Sequence, residues 1–160
     1  MKVDHKRILK DWILPILFVP LVGFLLLNGA FVADALFQNG VRLLLGTGGD
    51  PGAWLGWLGF NPLHLLFALL VLGVSWPILR SGKVPELLKA TWLVVPVATT
   101  LMTVYITGYG WGHGGWVLDA LLVVGLLMGL YRRKAPWVYW YASGLVIGLL
   151  IAVMVLGIEI

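Results

Sequence analysis

The chain has 160 residues, of which 61% are hydrophobic and 11% charged, and its mean hydropathy is +0.98. Ordinary globular domains are about 25% charged, so this chain lacks the charged residues that would cover a soluble surface. The composition excludes a soluble enzyme, an intrinsically disordered chain and a nucleic-acid-binding protein. It predicts an all-α integral membrane protein, a single transmembrane domain over residues 1–160, with the lipid bilayer as a partner and no nucleic acid.

Five apolar segments follow one another along the chain, each near the roughly 20 residues that cross a bilayer as a helix. Their residues do not alternate between apolar and polar, as the strands of a membrane barrel do. The sequence therefore predicts a bundle of five transmembrane helices, at about residues 12–33, 62–79, 88–107, 116–131 and 137–158.

The segment between the first two spans, residues 34–61, is rich in glycine and also carries leucine and tryptophan. We expect a partly helical outer segment that lies in the membrane interface, with a short helix around residues 41–45 and a turn at residues 48–51. An aromatic stretch then returns towards the bilayer. A re-entrant segment is the alternative, and it requires protein cover for its backbone polar groups.

The distribution of basic residues predicts the orientation of the chain. Lysine and arginine precede the first span and fill the loops after the second and fourth spans, and of the 11 such residues only Arg42 falls on the other side. Because basic loops stay in the cytoplasm, we expect a cytoplasmic N-terminus, an outer C-terminus and a prokaryotic cytoplasmic membrane. Binding of these residues to acidic lipid headgroups is compatible with that orientation.

Glycines at intervals of four mark one face of each of the last two spans. Gly125 and Gly129 lie in the fourth span, and Gly144 and Gly148 lie in the fifth. Small residues let helix backbones approach closely in a bilayer, where apolar side chains gain little by leaving lipid. We therefore expect these glycines to pack the two spans into a tight antiparallel hairpin. The alternative is that one stripe faces a partner protein.

The third span carries a threonine at every fourth position, Thr99, Thr103 and Thr107, downstream of Pro96. Proline has no N–H group and leaves a carbonyl unbonded, so we expect a kink there. In one interpretation the threonine hydroxyls bond backbone groups freed at the kink. In the other they form the polar lining of a solute path.

Four ionisable side chains fall near the outer ends of the predicted spans: Asp34, His64, His113 and Asp119. We interpret them as a candidate polar cluster. Asp119 is the strongest functional candidate because it lies inside a span. Acidic groups near a helix N-terminus are also favoured by the helix dipole, so a structural role as a cap or a hydrogen-bond partner of the outer loops is the alternative.

The same side chains are the only candidates for holding a cofactor. The chain has no cysteine, which excludes thiolate metal sites, Cys-bound iron–sulfur clusters and covalently attached c-type haem. His64, His113 and Asp119, joined by Asp34, would suit Zn²⁺ or Cu²⁺. The two histidines would also suit a b-type haem or the metal of a chlorophyll-type pigment. No spacing in the sequence selects one of these cofactors.

The sequence contains no recognisable catalytic set, so we do not expect an enzyme. The leading hypothesis is a non-catalytic accessory or scaffold subunit of a larger membrane complex, such as a respiratory or photosynthetic one, with other membrane subunits or a second copy as partners. The first alternative is a small solute or proton transporter or channel that uses Asp119 and the threonine stripe. The second is a metal- or haem-binding redox subunit that uses His64 and His113.

Overall fold

The computed structural model describes residues 9–44, 62–108 and 114–156. These residues form five α-helices and no strand: α1 Leu14–Leu44, α2 Pro62–Arg80, α3 Glu86–Gly108, α4 Gly114–Arg132 and α5 Trp137–Leu156, with a π-helical segment Leu9–Ile13 before α1. Each of the five is long and apolar enough to cross a membrane. The predicted all-α bundle with five such helices is therefore confirmed for the described residues, and α2 to α5 begin and end within two residues of the predicted positions.

Helix α3 is the centre of the bundle and packs against each of the other four helices. Of its apolar stretch 61% is buried, against 17–28% in the other four. Its sequence explains this position. Ala90, Thr91, Ala98 and Thr99 are small and buried, so neighbouring helices can approach α3 from several sides.

The outer helices surround α3 in the order α2, α1, α5, α4, and each contacts the next. Helices α2 and α4, at the two ends of this series, barely touch each other, so the wall around α3 is open between them. The largest cluster of buried apolar side chains comes from α1, α3 and α5: Val19, Leu27, Val94, Ala98, Leu101, Met102, Ala142, Val146, Leu150 and Val153.

Successive helices run in opposite directions, as contacts between distant residues demonstrate. Trp12 stacks on Trp137 with ring centroids 5.0 Å apart, so the start of α5 lies beside the residues that lead into α1. The Tyr139 hydroxyl donates to the Glu86 carboxylate, so the start of α3 lies at the same end of the bundle as the start of α5. We call this the basic end, because it also holds the lysine- and arginine-containing connections 81–85 and 133–136.

The opposite end of the bundle, which we call the distal end, comprises the last turns of α1 and α3 and the first turns of α2 and α4. Helix α1 reaches further there than predicted. It continues to Leu44 instead of ending near residue 33, and residues 41–44 form its last turn and not a separate interfacial helix. Its 31 residues extend for about 46 Å at the α-helical rise, against about 30 Å for a hydrocarbon layer. The expected turn at residues 48–51 lies outside the described residues.

The four glycines expected to join α4 and α5 do not lie at a helix contact. A Cβ atom built on Gly125, Gly129, Gly144 or Gly148 meets nothing within 4 Å among the described residues, and α4 and α5 touch only loosely. The tight hairpin is not formed because both helices pack mainly on α3. Helix α5 buries a different face, which begins with Ala142 and Ser143. The alternative, that a stripe faces a partner protein, stays a prediction.

Candidate functional site

A hydrogen-bonded cluster of three polar side chains lies between α1 and α2 at the distal end. The Asp34 Oδ2 atom is 3.0 Å from His64 Nδ1 and accepts a hydrogen bond from Gln38 Nε2, also at 3.0 Å. Gln38 Nε2 is in turn 3.0 Å from His64 Nδ1. One carboxylate oxygen thus joins a side chain of its own helix to a side chain 30 residues further along the chain.

The position of each residue in its helix produces this cluster. Asp34 and Gln38 are four residues apart, so their side chains leave the same face of α1. His64 lies in the first turn of α2, directly after the helix begins at Pro62. Proline is favoured at this position because the first N–H groups of a helix have no partner within it. The last third of α1 and the first turn of α2 therefore fix a carboxylate against an imidazole.

The cluster has two hydrogen-bonding arrangements. With a proton on Nδ1, His64 donates to the Asp34 carboxylate, and without that proton Nδ1 accepts from the Gln38 amide. The two arrangements differ in which ring nitrogen of His64 carries the proton, and Nδ1 keeps a hydrogen bond in both of them.

The second carboxylate oxygen of Asp34 has no partner. Oδ1 is buried and accepts no hydrogen bond from any described residue, although leaving a buried polar atom unsatisfied costs about 1–3 kcal/mol. This oxygen therefore has hydrogen-bonding capacity that no described residue uses.

The cluster borders a cavity of about 500 Å³ between α1, α2 and α3, which we call the distal cavity. Thr99 and Thr103 line it together with Asp34, Gln38 and His64. Two of the three threonines predicted to line a solute path thus border the same space as two members of the predicted polar cluster, whereas Thr107 does not. The other lining residues are Phe31, Ala35, Asn39, Arg42, Phe67, Met102 and Ile106.

The threonine hydroxyls also bond the backbone next to Pro96. Thr99 Oγ1 donates to the Val95 carbonyl at 2.8 Å, and Thr100 Oγ1 donates to the Pro96 carbonyl at 2.6 Å. A hydroxyl that donates in this way keeps lone pairs that can accept from a ligand. Thr99 therefore bonds the backbone of α3 and lines the distal cavity at the same time.

Asp119 lies apart from this cluster. Its side chain is 3% exposed, and both carboxylate oxygens are buried without a hydrogen-bond partner among the described residues. It does not line the distal cavity. The cap or hydrogen bond expected of Asp119 is thus not made to any described residue.

Of the four residues in the predicted cluster, the structure brings Asp34 and His64 together, and His113 lies outside the described residues.

The described residues contain no group of three or more His, Asp and Glu side chains that could hold a metal ion. Of the predicted ligands, His64 is bonded to Asp34, whereas Asp119 makes no hydrogen bond to a described residue. The part of the predicted metal set that involves His113 falls outside the described residues and stays a prediction.

Gln38 is the site residue that the sequence reasoning missed, because it ended the first span near residue 33. The signal is the spacing. Asp34, Gln38 and Arg42 recur at intervals of four, and all three line the distal cavity. A polar stripe with this period indicates that the helix continues past Asp34. By the helical rise, Arg42 lies about 12 Å further along α1 than Asp34.

For the described residues, these features define the class of protein as a bundle of five helices of membrane-spanning length, with a cavity between α1, α2 and α3 that Asp34, Gln38 and His64 border. The chain matches no protein-family model, no curated protein and no solved structure. Its function is therefore inferred from the geometry of the chain itself.

Proposed function

We propose that the chain spans a prokaryotic cytoplasmic membrane five times, with its basic end in the cytoplasm. The hydropathy of the five helices and the lysines and arginines of the basic end support this orientation through the positive-inside rule. Because the chain has no cysteine, single cysteines test it directly. A membrane-impermeant thiol reagent should label Leu44→Cys in intact cells, and should label Lys83→Cys and Lys134→Cys only after the membrane is opened. The reverse pattern would contradict the orientation.

We propose further that the protein transports a small cation carrying N–H groups in exchange for protons, and that Asp34 and His64 bind both. One observation carries this proposal. The Asp34 carboxylate lines the distal cavity, contacts His64 through Oδ2 and keeps a buried, unpartnered Oδ1. Ionisable side chains within membrane-spanning helices usually mark a substrate or ion pathway.

The composition of the distal cavity supports a small organic cation. An N–H group can donate to Asp34 Oδ1, and a planar guanidinium can offer two parallel hydrogen bonds to a carboxylate. Phe31 and Phe67 line the same cavity, and aromatic faces attract cations. The volume of about 500 Å³ lies within the ordinary range for small-molecule sites.

Competition at Asp34 would couple the cation to a proton. In this proposal the Asp34 carboxylate holds either a proton or the cation but not both, so a bound cation displaces the proton to water. A site that binds either the proton or the cation, with each weakening the other, exchanges one for the other across the membrane.

Uptake of radiolabelled guanidinium into liposomes that contain the purified protein tests this proposal. Guanidinium stays charged at neutral pH and does not cross the bilayer unaided. With an acidic lumen, the wild-type protein should accumulate guanidinium, and Asp34→Asn should reduce uptake to that of empty liposomes. Asp119→Asn is the matched control, because it makes the same change at a buried carboxylate outside the distal cavity, and it should retain uptake.

Circular dichroism and size-exclusion chromatography must show both variants to be folded. Uptake that Asp34→Asn leaves unchanged would contradict the proposal. Equal loss in Asp34→Asn and Asp119→Asn would also contradict it, since the distal cavity would then not be what determines transport.

We propose as a second candidate that the chain is a subunit of a larger membrane complex. Gly144 and Gly148 support it, because they are exposed on α5 and have open space beside them, so another helix can approach closely. Native mass spectrometry of the solubilised protein should then show a stoichiometric partner or a second copy, released by Gly144→Leu. A monodisperse single chain without a partner would contradict this candidate.

A further inference from the structure

A second polar cavity, of about 470 Å³, lies at the basic end between α3, α4 and the start of α5, and we call it the basic-end cavity. Its polar lining consists of Glu86 and Lys89 of α3, Arg133 of the connection after α4, and Tyr139 of α5. It shares no lining residue with the distal cavity. An inference about this cavity therefore does not rest on the transport site proposed at the distal end.

The charges around the basic-end cavity make it net positive. Both carboxylate oxygens of Glu86 accept a hydrogen bond: Lys89 Nζ donates to Oε1 at 2.8 Å, and the Tyr139 hydroxyl donates to Oε2. Lys89 thereby neutralises Glu86, whereas Arg133 is exposed and forms no ion pair with any described residue. Further basic residues lie in the adjoining turns: Arg80, Lys83, Arg132 and Lys134.

The basic-end cavity continues into an apolar cavity of about 280 Å³, which lies against α3 in the gap between α2 and α4. Both cavities are lined by Leu79, Leu93 and Leu126. Gly125 and Gly129 form part of the α4 wall of the basic-end cavity, and without side chains they leave that space open. Together the two cavities form one groove, cationic at the end of the bundle and apolar towards its middle.

We infer that this groove binds one anionic phospholipid. The phosphate lies against Arg133 beside the Lys89 side chain, and one acyl chain runs past Gly125 and Gly129 towards Pro96. Lysine and arginine at the end of a membrane bundle are suited to anionic headgroups. An inorganic anion would leave the apolar half of the groove unfilled. A zwitterionic lipid carries a positive ammonium group besides its phosphate, and the surrounding lysine and arginine side chains would repel that group.

Native mass spectrometry of the purified, delipidated chain in detergent, titrated with dioleoylphosphatidylglycerol, tests this inference. The wild-type protein should bind one molecule. Dioleoylphosphatidylcholine should bind about fivefold more weakly, which corresponds to about 1 kcal/mol for a basic residue near an anionic surface. Inorganic phosphate at the same concentrations should not displace the bound lipid. Equal binding of the two lipids, or displacement by phosphate alone, would overturn the inference.

Leucine substitutions test whether the acyl chain runs past Gly125 and Gly129. Gly125→Leu and Gly129→Leu fill the groove and should weaken phosphatidylglycerol binding roughly tenfold, a loss of about 1.4 kcal/mol. Gly144→Leu and Gly148→Leu are matched controls, since they add the same side chain at equally open positions of α5 outside the groove. The controls should keep wild-type affinity, and wild-type affinity in Gly125→Leu and Gly129→Leu would overturn the inference.

A charge substitution that leaves the helices intact locates the headgroup. Arg133→Gln should weaken phosphatidylglycerol binding about fivefold and should reduce the preference for phosphatidylglycerol over phosphatidylcholine. Arg132→Gln removes the same charge from the neighbouring residue, which does not line the groove, and should have no such effect. Equal weakening by both substitutions would mean that overall charge, and not this groove, attracts the lipid, and would overturn the inference.

Discussion

Gly108 at the end of α3 and Gly115 near the start of α4 are in backbone contact: a Cβ atom on Gly108 would overlap the Cα atom of Gly115. In the reverse direction, a Cβ atom on Gly115 would lie 2.8 Å from the Gly108 Cα atom. The obstructing atom is backbone in both cases, so it cannot rotate aside as a side chain can. This contact sets how closely α4 approaches the central helix at the distal end.

We expect Gly108→Ala to lower the free energy of unfolding by about 1–3 kcal/mol, the usual cost of forcing extra atoms into a packed contact. Unfolding of the purified protein in mixed micelles, followed by circular dichroism, measures the change. Gly144→Ala is the control, because open space surrounds that position, and it should stay within about 0.5 kcal/mol of the wild type. Equal stabilities for the two variants would contradict the backbone contact.

A second interhelical contact joins α3 to α2. Trp92 Nε1 donates to Ser75 Oγ at 3.0 Å, and Ser75 is 1% exposed. Hydrogen bonds between membrane helices contribute about 0.6 kcal/mol on average in double-mutant cycles. We expect a coupling energy of about that size between Trp92→Phe and Ser75→Ala, measured from the unfolding free energies of the two single variants, the double variant and the wild type.

Trp76→Phe is the matched control for this cycle. Trp76 follows Ser75 in α2, but it is exposed, and we find no hydrogen bond from its ring to any described residue. Its combination with Trp92→Phe should therefore be additive. A coupling as large as that between Trp92 and Ser75 would show that the cycle measures a general change in packing and not this hydrogen bond.

Two threonines of α3 can show whether transport depends on the distal cavity or on any polar residue along the helix. Thr103 lines the cavity and Thr107, one turn further, does not. We expect Thr103→Leu to reduce guanidinium uptake into liposomes about tenfold, because a misfit of one methylene group in a binding site costs roughly that factor. Thr107→Leu makes the same change outside the cavity and should keep wild-type uptake. Similar losses in both variants would contradict the cavity as the transport site.

The sequence was sufficient to predict the number and approximate bounds of the helices, because a membrane-crossing helix needs about 20 apolar residues and few other patterns supply them. The end of α1 was not predictable from hydropathy alone. Asp34 interrupts the apolar run and resembles a helix end, but the helix continues because Gln38 and His64 satisfy one of its carboxylate oxygens.

The contacts between helices were less predictable, since a pattern on one helix does not specify the surface that it meets. The stripe at Gly125 and Gly129 shows that close approach of another helix is allowed, yet the helix pair in backbone contact meets at Gly108 and Gly115.

The residues that meet at the candidate site were hard to predict for the same reason. The position of Asp119 along α4 places it near the same end of the bundle as the distal cluster. Rotation of α4 about its own axis decides which side chains Asp119 meets, and hydropathy carries no information on that rotation.

Asp119 supports a final prediction about stability. Its carboxylate is buried, and neither oxygen has a hydrogen-bond partner among the described residues. A buried polar group in this condition costs about 1–3 kcal/mol, and an unpaired charge costs more. Leucine has the same number of side-chain heavy atoms and the same branching as aspartate, and it carries no polar atom. We therefore expect Asp119→Leu to raise the free energy of unfolding in mixed micelles by about 1–3 kcal/mol.

The same substitution at Asp34 should have the opposite sign. Asp34 Oδ2 accepts from Gln38 and contacts His64. Asp34→Leu removes this shared acceptor and leaves Gln38 and His64 only each other as partners, so it should lower the free energy of unfolding by about 1–2 kcal/mol. The comparison is informative because both residues are acidic, lie at the distal end and differ mainly in whether the carboxylate is bonded. A lower stability for Asp119→Leu than for the wild type would mean that the Asp119 carboxylate is bonded in the folded protein, and would contradict its description as an unsatisfied group.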